Sequence, residues 1–287
     1  MSTLVVLAVL LSALLHASWN ALIKGGTDRW ITSGMIGGFG GIGGLIVALA
    51  FLPFPEPHHW PWLIGSGALH SAYFIFLVNA YAHGDLGKVY PIARGSAPLI
   101  IVALSAPLVG DIPGFWEIIS VLVIVAGVIA LTIEPKQVAA TNIRTVILAL
   151  ITGGFIAAYS LFDAVGIRTI GPEMEDATLF YLCWIMVFAG IPIITATYIV
   201  RRGHIRTYVM ANGLKGFAGA TLGMASYGLV LFAFSNASVG SVAALRETGV
   251  VFAALIGVLV LGEPLGKRRI PAAMLVALGA ATLKFAG

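Results

Sequence analysis

The chain has 287 residues, of which 59% are hydrophobic and only 10% charged, with a mean hydropathy of +1.01. So little polar surface cannot solvate a globule of this length, and the lipid bilayer is the expected surround. The net charge of +4 and pI near 9.3 would suit nucleic acid in a soluble protein. Here the basic residues sit in short connections beside apolar runs, where they read as topology signals, so no nucleic-acid partner is expected.

In chain order, hydropathy predicts ten spans at roughly 2–24, 31–53, 60–82, 89–109, 113–134, 143–167, 177–200, 213–235, 240–261 and 268–286, each about long enough for a ~30 Å hydrocarbon core. The first is expected to be retained rather than cleaved, because Met1-Ser2-Thr3 has no basic n-region. The second carries a glycine-rich run from Gly34 to Gly41, whose small residues let helices approach closely in lipid. Connections such as Gly110-Asp111-Ile112-Pro113 and Gly262-Glu263-Pro264-Leu265 are short enough to pack successive spans as antiparallel neighbours. The lone Cys183 has no partner for an internal disulfide and is given no role.

The stretch from Glu134 to Arg144 divides the chain nearly in half. Sliding the sequence by 152 residues superposes Arg94 on Arg246, Gly110 on Gly262, Asp111 on Glu263 and Gly127 on Gly279, while Lys24 falls on Arg168 at an offset of 144. Two units are predicted, residues 1–136 and 143–287. With five spans each, an odd number, they cross the membrane in opposite senses, so the expected fold is all-α with a 5+5 inverted-topology repeat, the plan of alternating-access carriers. Connections after spans 1, 3, 5, 7 and 9 hold twelve Lys and Arg: Lys24, Arg29, Lys88, Lys136, Arg144, Arg201, Arg202, Arg206, Lys215, Lys267, Arg268 and Arg269. The other connections and termini hold Arg168 and Lys284. The positive-inside rule then puts both termini on the outer face of a bacterial-type inner membrane.

A charge within a span costs on the order of 3 kcal/mol or more, so those present are expected to face the bundle interior. Arg94 lies in the fourth span after Tyr90-Pro91, and Arg246-Glu247 in the matching part of the ninth. They read either as a guanidinium clamp for a carboxylate or as structural ion pairs, Arg246 with Glu247 or Arg94 with Asp163. His16, Asn20 and Lys24 share one face of the first span, and Tyr159 and Asp163 one face of the sixth. In the third span His70, Tyr73, Phe74, Leu77 and Tyr81 form an aromatic stripe, which reads as packing before it reads as a cavity wall. Summing Lys24, Arg94, Arg168 and Arg246 against Asp163 and Glu247 leaves an electropositive cavity, suited to a carboxylate, phosphate or zwitterion. Pro91, Pro98 and Pro107 predict a kink or gate in the fourth span, which the ninth lacks. Trp60 and Trp62 read as interfacial anchors, and His58-His59, two adjacent histidines without an assigned carboxylate partner, as no metal site.

Four motifs carry a family resemblance: His16-Ala17-Ser18-Trp19-Asn20-Ala21-Leu22-Ile23-Lys24, Val89-Tyr90-Pro91-Ile92-Ala93-Arg94-Gly95-Ser96-Ala97-Pro98, Leu245-Arg246-Glu247-Thr248 and Leu261-Gly262-Glu263-Pro264-Leu265. They resemble the EamA branch of the drug/metabolite transporter superfamily over the whole chain. The resemblance implies a ten-helix inverted repeat, no ATP-hydrolysing part and often export, with cargoes that range over amino acids, sugars, nucleotide-linked compounds and other metabolites. The cargo expected here is small polar metabolites, amino acids foremost, with no cofactor and no protein partner. Members commonly keep their termini in the cytoplasm, whereas the charges here place them outside. The candidate substrate-binding residues are His16, Trp19 and Asn20, then Tyr73, Tyr81 and Tyr90, with Arg94, Tyr159 and Asp163, and finally Tyr227, Arg246 and Glu247. Rival readings are a multidrug or cation exporter, disfavoured by a first span with His16 and no acid, and a lipid-linked sugar flippase. An intramembrane enzyme is disfavoured because no HExxH, GxSxG or dense His/Asp cluster occurs.

Overall fold

The computed structural model describes residues 1–24, 27–83, 86–132, 143–203, 205–259 and 269–285. Among these residues the regular elements are helical: α1 (Thr3–Lys24), α2 (Arg29–Phe51), α3 (Trp60–His83), α4 (Leu86–Val109), α5 (Phe115–Thr132), α6 (Ile143–Ile170), α7 (Ala177–Arg201), α8 (Ile205–Asn236), α9 (Val239–Arg246), α10 (Gly249–Leu259) and α11 (Arg269–Phe285), with a 3₁₀ turn at Gly171–Glu173. Seven helical segments among them are long and apolar enough to cross a bilayer, with two shorter apolar helices, Phe115–Leu131 and Ile270–Lys284. The chain is a multi-pass membrane protein.

The side chains sort as lipid demands. On α1, Leu4, Leu7, Leu11 and Leu14 point outward at three- and four-residue spacing, while Val5, Val9, Ser12 and Ala13 are buried. Lipid tails are as apolar as leucine, so the interior selects small residues and hydrogen bonds instead. Ser12 and Ser226 illustrate both: each hydroxyl donates to the other's carbonyl, at 2.8 and 2.9 Å, tying α1 to α8.

The helices pack as α2 on α7 and α8, α1 on α8 and α10, α3 on α6 and α7, α4 on α5 and α6, and α5 on α11. The glycine run of α2 brings its backbone against α7, where a Cβ on Gly44 would sit 2.7 Å from the Cys183 carbonyl and one on Gly190 2.8 Å from that of Gly37. Between α5 and α11, a Cβ on Gly127 would lie 2.9 Å from the Val276 nitrogen and one on Gly279 3.0 Å from the Ser120 carbonyl.

Two helices differ from the sequence expectation. The stretch 201–212, predicted as a connection, is largely α8, which starts at Ile205 and runs 32 residues. At about 48 Å it outreaches the hydrocarbon core, so its basic, polar first turns are helical without being apolar. The ninth span is broken into α9 and α10, although it has no proline. The Glu247 and Thr248 amides bond the carbonyls of Ala244 and Leu245 at 3.0 and 3.1 Å, one residue tighter than an α-helix, and the Thr248 hydroxyl donates to Leu245 at 2.7 Å. The predicted kink site, α4, continues as helix through Pro91, Pro98 and Pro107.

Candidate functional site

The break in the ninth span lies in a polar cluster. Arg94 of α4 is buried and its Nε donates to Glu247 Oε2 at 3.1 Å. Arg246, the last residue of α9, is also buried, with its guanidinium 5.6 Å from the Tyr227 ring centroid, a cation–π distance, and its Nε without a hydrogen-bond partner among the described residues. Arg94, Arg246 and Glu247 line one cavity with Pro98 of α4, Ser160 of α6 and Phe234 of α8. Its volume of about 10 Å³ is the room of roughly one water molecule. A metabolite does not fit this cavity as it stands.

Beside this cavity, Asp163 of α6 is fully buried and surrounded by donors from three other helices. Tyr227 of α8 donates its hydroxyl to Oδ2, Tyr181 of α7 donates to Oδ1 at 3.1 Å, and His70 Nε2 of α3 lies 3.0 Å from Oδ2. The same His70 nitrogen is 3.2 Å from the Tyr227 hydroxyl, and the His70 ring stacks on Tyr159 with centroids 4.1 Å apart. Tyr73 packs edge-on to Tyr159 at 5.6 Å. Tyr227 thus belongs to both clusters, its hydroxyl to Asp163 and its face to Arg246.

The candidates of α1 lie to one side. His16 meets Trp19 edge-on at 5.0 Å and is within electrostatic reach of Arg246 and Arg94, whereas the Asn20 amide donates to the His16 carbonyl at 2.7 Å, on its own helix. The side chains of Lys24, Tyr81 and Tyr90 fall outside the described residues.

Three sequence expectations are corrected. Neither proposed ion pair forms: Arg94 pairs with Glu247, and Asp163 takes His70 and two tyrosines, because adjacent residues on a helix point about 100° apart and cross-helix partners are nearer. Arg168 leaves the cavity sum, since its two terminal nitrogens donate to Asp111 at 2.7 and 3.1 Å while other N–H groups reach the Phe234 and Ala237 carbonyls, each at 2.8 Å. His58 and His59 do have a carboxylate: Glu173 Oε2 is 2.9 and 2.7 Å from their Nε2 atoms. All three ligand atoms lie within 4.8 Å of one another. However, the Glu56 amide donates to His59 Nδ1 at 3.2 Å, which puts the neutral ring's proton on Nε2, the wrong tautomer for a metal ligand there.

His70 and Tyr181 are absent from the sequence-derived set. A histidine inside an apolar span was a sufficient signal for His70. Tyr181, one hydroxyl in an aromatic-rich run, offered none.

Residues 143–284 match the EamA-like transporter family. Among solved structures, a crystal structure matches with a TM-score of 0.73 at 19% identity, over 98% of this chain and 99% of its own. At that identity the likeness speaks for fold alone. No curated protein matches the chain. Within this multi-pass helical bundle, residues 143–284 belong to the EamA-like transporter family.

Proposed function

We propose that the protein is a secondary transporter that exports small carboxylate-bearing or zwitterionic metabolites, amino acids foremost, by alternating access between two five-span halves, residues 1–136 and 143–287. The observation that carries the substrate class is the cavity at the broken span, where Arg94 and Arg246 face the single carboxylate of Glu247. With Asp163 beside it the cluster holds two cations and two anions, but Arg94 is paired with Glu247 while Arg246 forms no ion pair among the described residues. The Arg246 guanidinium is therefore the one to meet a substrate carboxylate, which Arg grips in a planar fork. A lipophilic-cation exporter would need an uncompensated carboxylate lining this cavity instead, and the carboxylate that lines it, Glu247, is held by Arg94.

Helix packing supports the two-half plan. Exchanging spans 1–5 with 6–10 turns α1 on α8 into α6 on α3, and α2 on α8 into α7 on α3, both of which occur. It turns α4 on α6 into the ninth span on α1, which also occurs, and maps α2 on α7 and α5 on α11 onto themselves. At that last contact the reciprocity reaches single residues: Gly127 faces Val276 and Ala272, and Gly279 faces Ile124 and Ser120, each the 152-shifted counterpart of the other.

The test is uptake of a radiolabelled amino-acid and organic-acid panel into proteoliposomes, for the native protein and for Arg94→Lys and Arg246→Lys. Lysine keeps the charge but loses the fork, so transport should fall about tenfold or more, the equivalent of one charge-assisted hydrogen bond of ~1.5–3 kcal/mol. Alanine should be worse, because it leaves a buried partner uncompensated. Expression and monodispersity are followed in parallel. Normal transport by both lysine variants, or activity that merely tracks protein yield, would sink the reading.

A further inference from the structure

We propose that Asp163 and His70 bind the proton that drives transport, and that Tyr227 links proton occupancy to the Arg246 site; this rests on the carrier reading above. A carboxylate fully buried within a membrane bundle, contacted by an imidazole and two phenols from three other helices, is more than packing requires. A neutral apolar residue would fill the place without charge in a medium where a charge costs several kcal/mol. Ionisable groups retained at such a cost line proton and ion pathways.

The hydrogen bonds show where a proton goes. Tyr227 donates to Asp163 Oδ2, so its own oxygen is free to accept, and His70 Nε2 faces both that oxygen and the carboxylate. Nε2 therefore carries hydrogen already, and an added proton enters at Nδ1. The pair then passes from a net charge of minus one to zero, with no bond broken and no other reactant needed. The titratable and charged groups facing the pair are Tyr159 of α6, Tyr181 of α7, Tyr227 of α8 and Arg246 of α9, with Arg94 of α4 at the neighbouring cavity.

Coupling follows from Tyr227. Its hydroxyl is held by the ionised Asp163 and its ring is the surface against Arg246. Protonation weakens the charge-assisted bond and with it the hold on the ring, so proton and substrate carboxylate act on two sides of one side chain. Two ligands that bias the same element are linked reciprocally.

Radiolabelled alanine, glutamate and lactate serve as probes in proteoliposomes, with and without an imposed pH gradient. At one proton per substrate, one pH unit sustains up to about tenfold accumulation. The native protein should accumulate a probe several-fold under the gradient, and Asp163→Asn should lose that accumulation. His70→Gln keeps a donor toward Asp163 but takes no proton, so it should fold, as gel filtration checks, and lose the gradient response as well. Infrared pH-difference spectra of reconstituted protein without substrate give an independent readout: an imidazole or carboxyl band that titrates should vanish in both variants and persist in Arg246→Lys. The proton site is refuted if native counterflow proceeds with no response to the gradient, or if the titrating band survives both substitutions. If no probe shows counterflow while the band is present and lost in both variants, the reading as an amino-acid or organic-acid carrier fails, and with it the coupling role, while proton binding at the pair stands.

Discussion

Asp111 shows how much one residue outside the binding cluster holds together. Its carboxylate accepts from both terminal nitrogens of Arg168 and from the Val239 amide at 2.8 Å, joining the α4–α5 connection to the end of α6 and the start of α9. Removing it would leave a partly buried guanidinium and a helix N-terminus without their acceptor. Asp111→Ala should therefore cost about 2–3 kcal/mol, visible as a lower melting temperature in detergent, with transport per folded molecule preserved. Asp111→Asn still accepts from Val239 and should lose less; an alanine variant that melts like the native protein would contradict this role. In the sequence Asp111 was legible only as half of a repeat match, because its partner is 57 residues away and no periodicity connects a loop acid to a helix-end arginine. Arg94, Arg246 and Glu247 were legible individually, since charges inside apolar runs stand out, but their pairing was not.

At the scale of elements, helix number and most boundaries follow from apolar run length, which is why α1 to α7 lie close to their predicted spans. The α9–α10 break escaped because it depends on a threonine hydroxyl and two tight amide bonds, with no proline or polar run to mark it. The clasp between the α2–α3 connection and the 3₁₀ turn has a consequence in pH. The hydrogen bond from His58 to Glu173 raises the histidine pKa above its ordinary value, with the charges of Glu173 and Glu56 adding to it against desolvation. A raised histidine pKa contributes stability in full below the unfolded value of about 6.5 and loses it as pH climbs through the folded one. Melting temperatures of native protein and His58→Gln should differ on the acid side and converge at alkaline pH; a constant gap would remove the ionic part of the clasp.

For the whole molecule, orientation is the property furthest from local contacts. We infer from the twelve-to-two distribution of Lys and Arg among connections and termini that Met1 and Gly287 face outward. Reporters fused at either end should score as external, and cytoplasmic activity from both would reverse the assignment. The outer face would then carry the His58–Glu173 clasp, exposed to the more variable pH. Architecture was the most legible level, because a run of twenty apolar residues has few places to go but a bilayer. The small size of the cavity was not, because it depends on how the chosen helices lean on one another rather than on what they are made of.

The broken span also has an electrical meaning. Each half-helix is a dipole, and α9 ends in mid-bundle on its negative pole while α10 begins there on its positive one. Arg246 occupies the last turn of α9 and Glu247 stands before the first of α10, so each charge meets the pole of opposite sign. The order Arg-Glu, and not the mere presence of both, suits the break. A carrier with these two residues exchanged would have the same composition and net charge, yet each would face a pole of its own sign at the centre of the membrane.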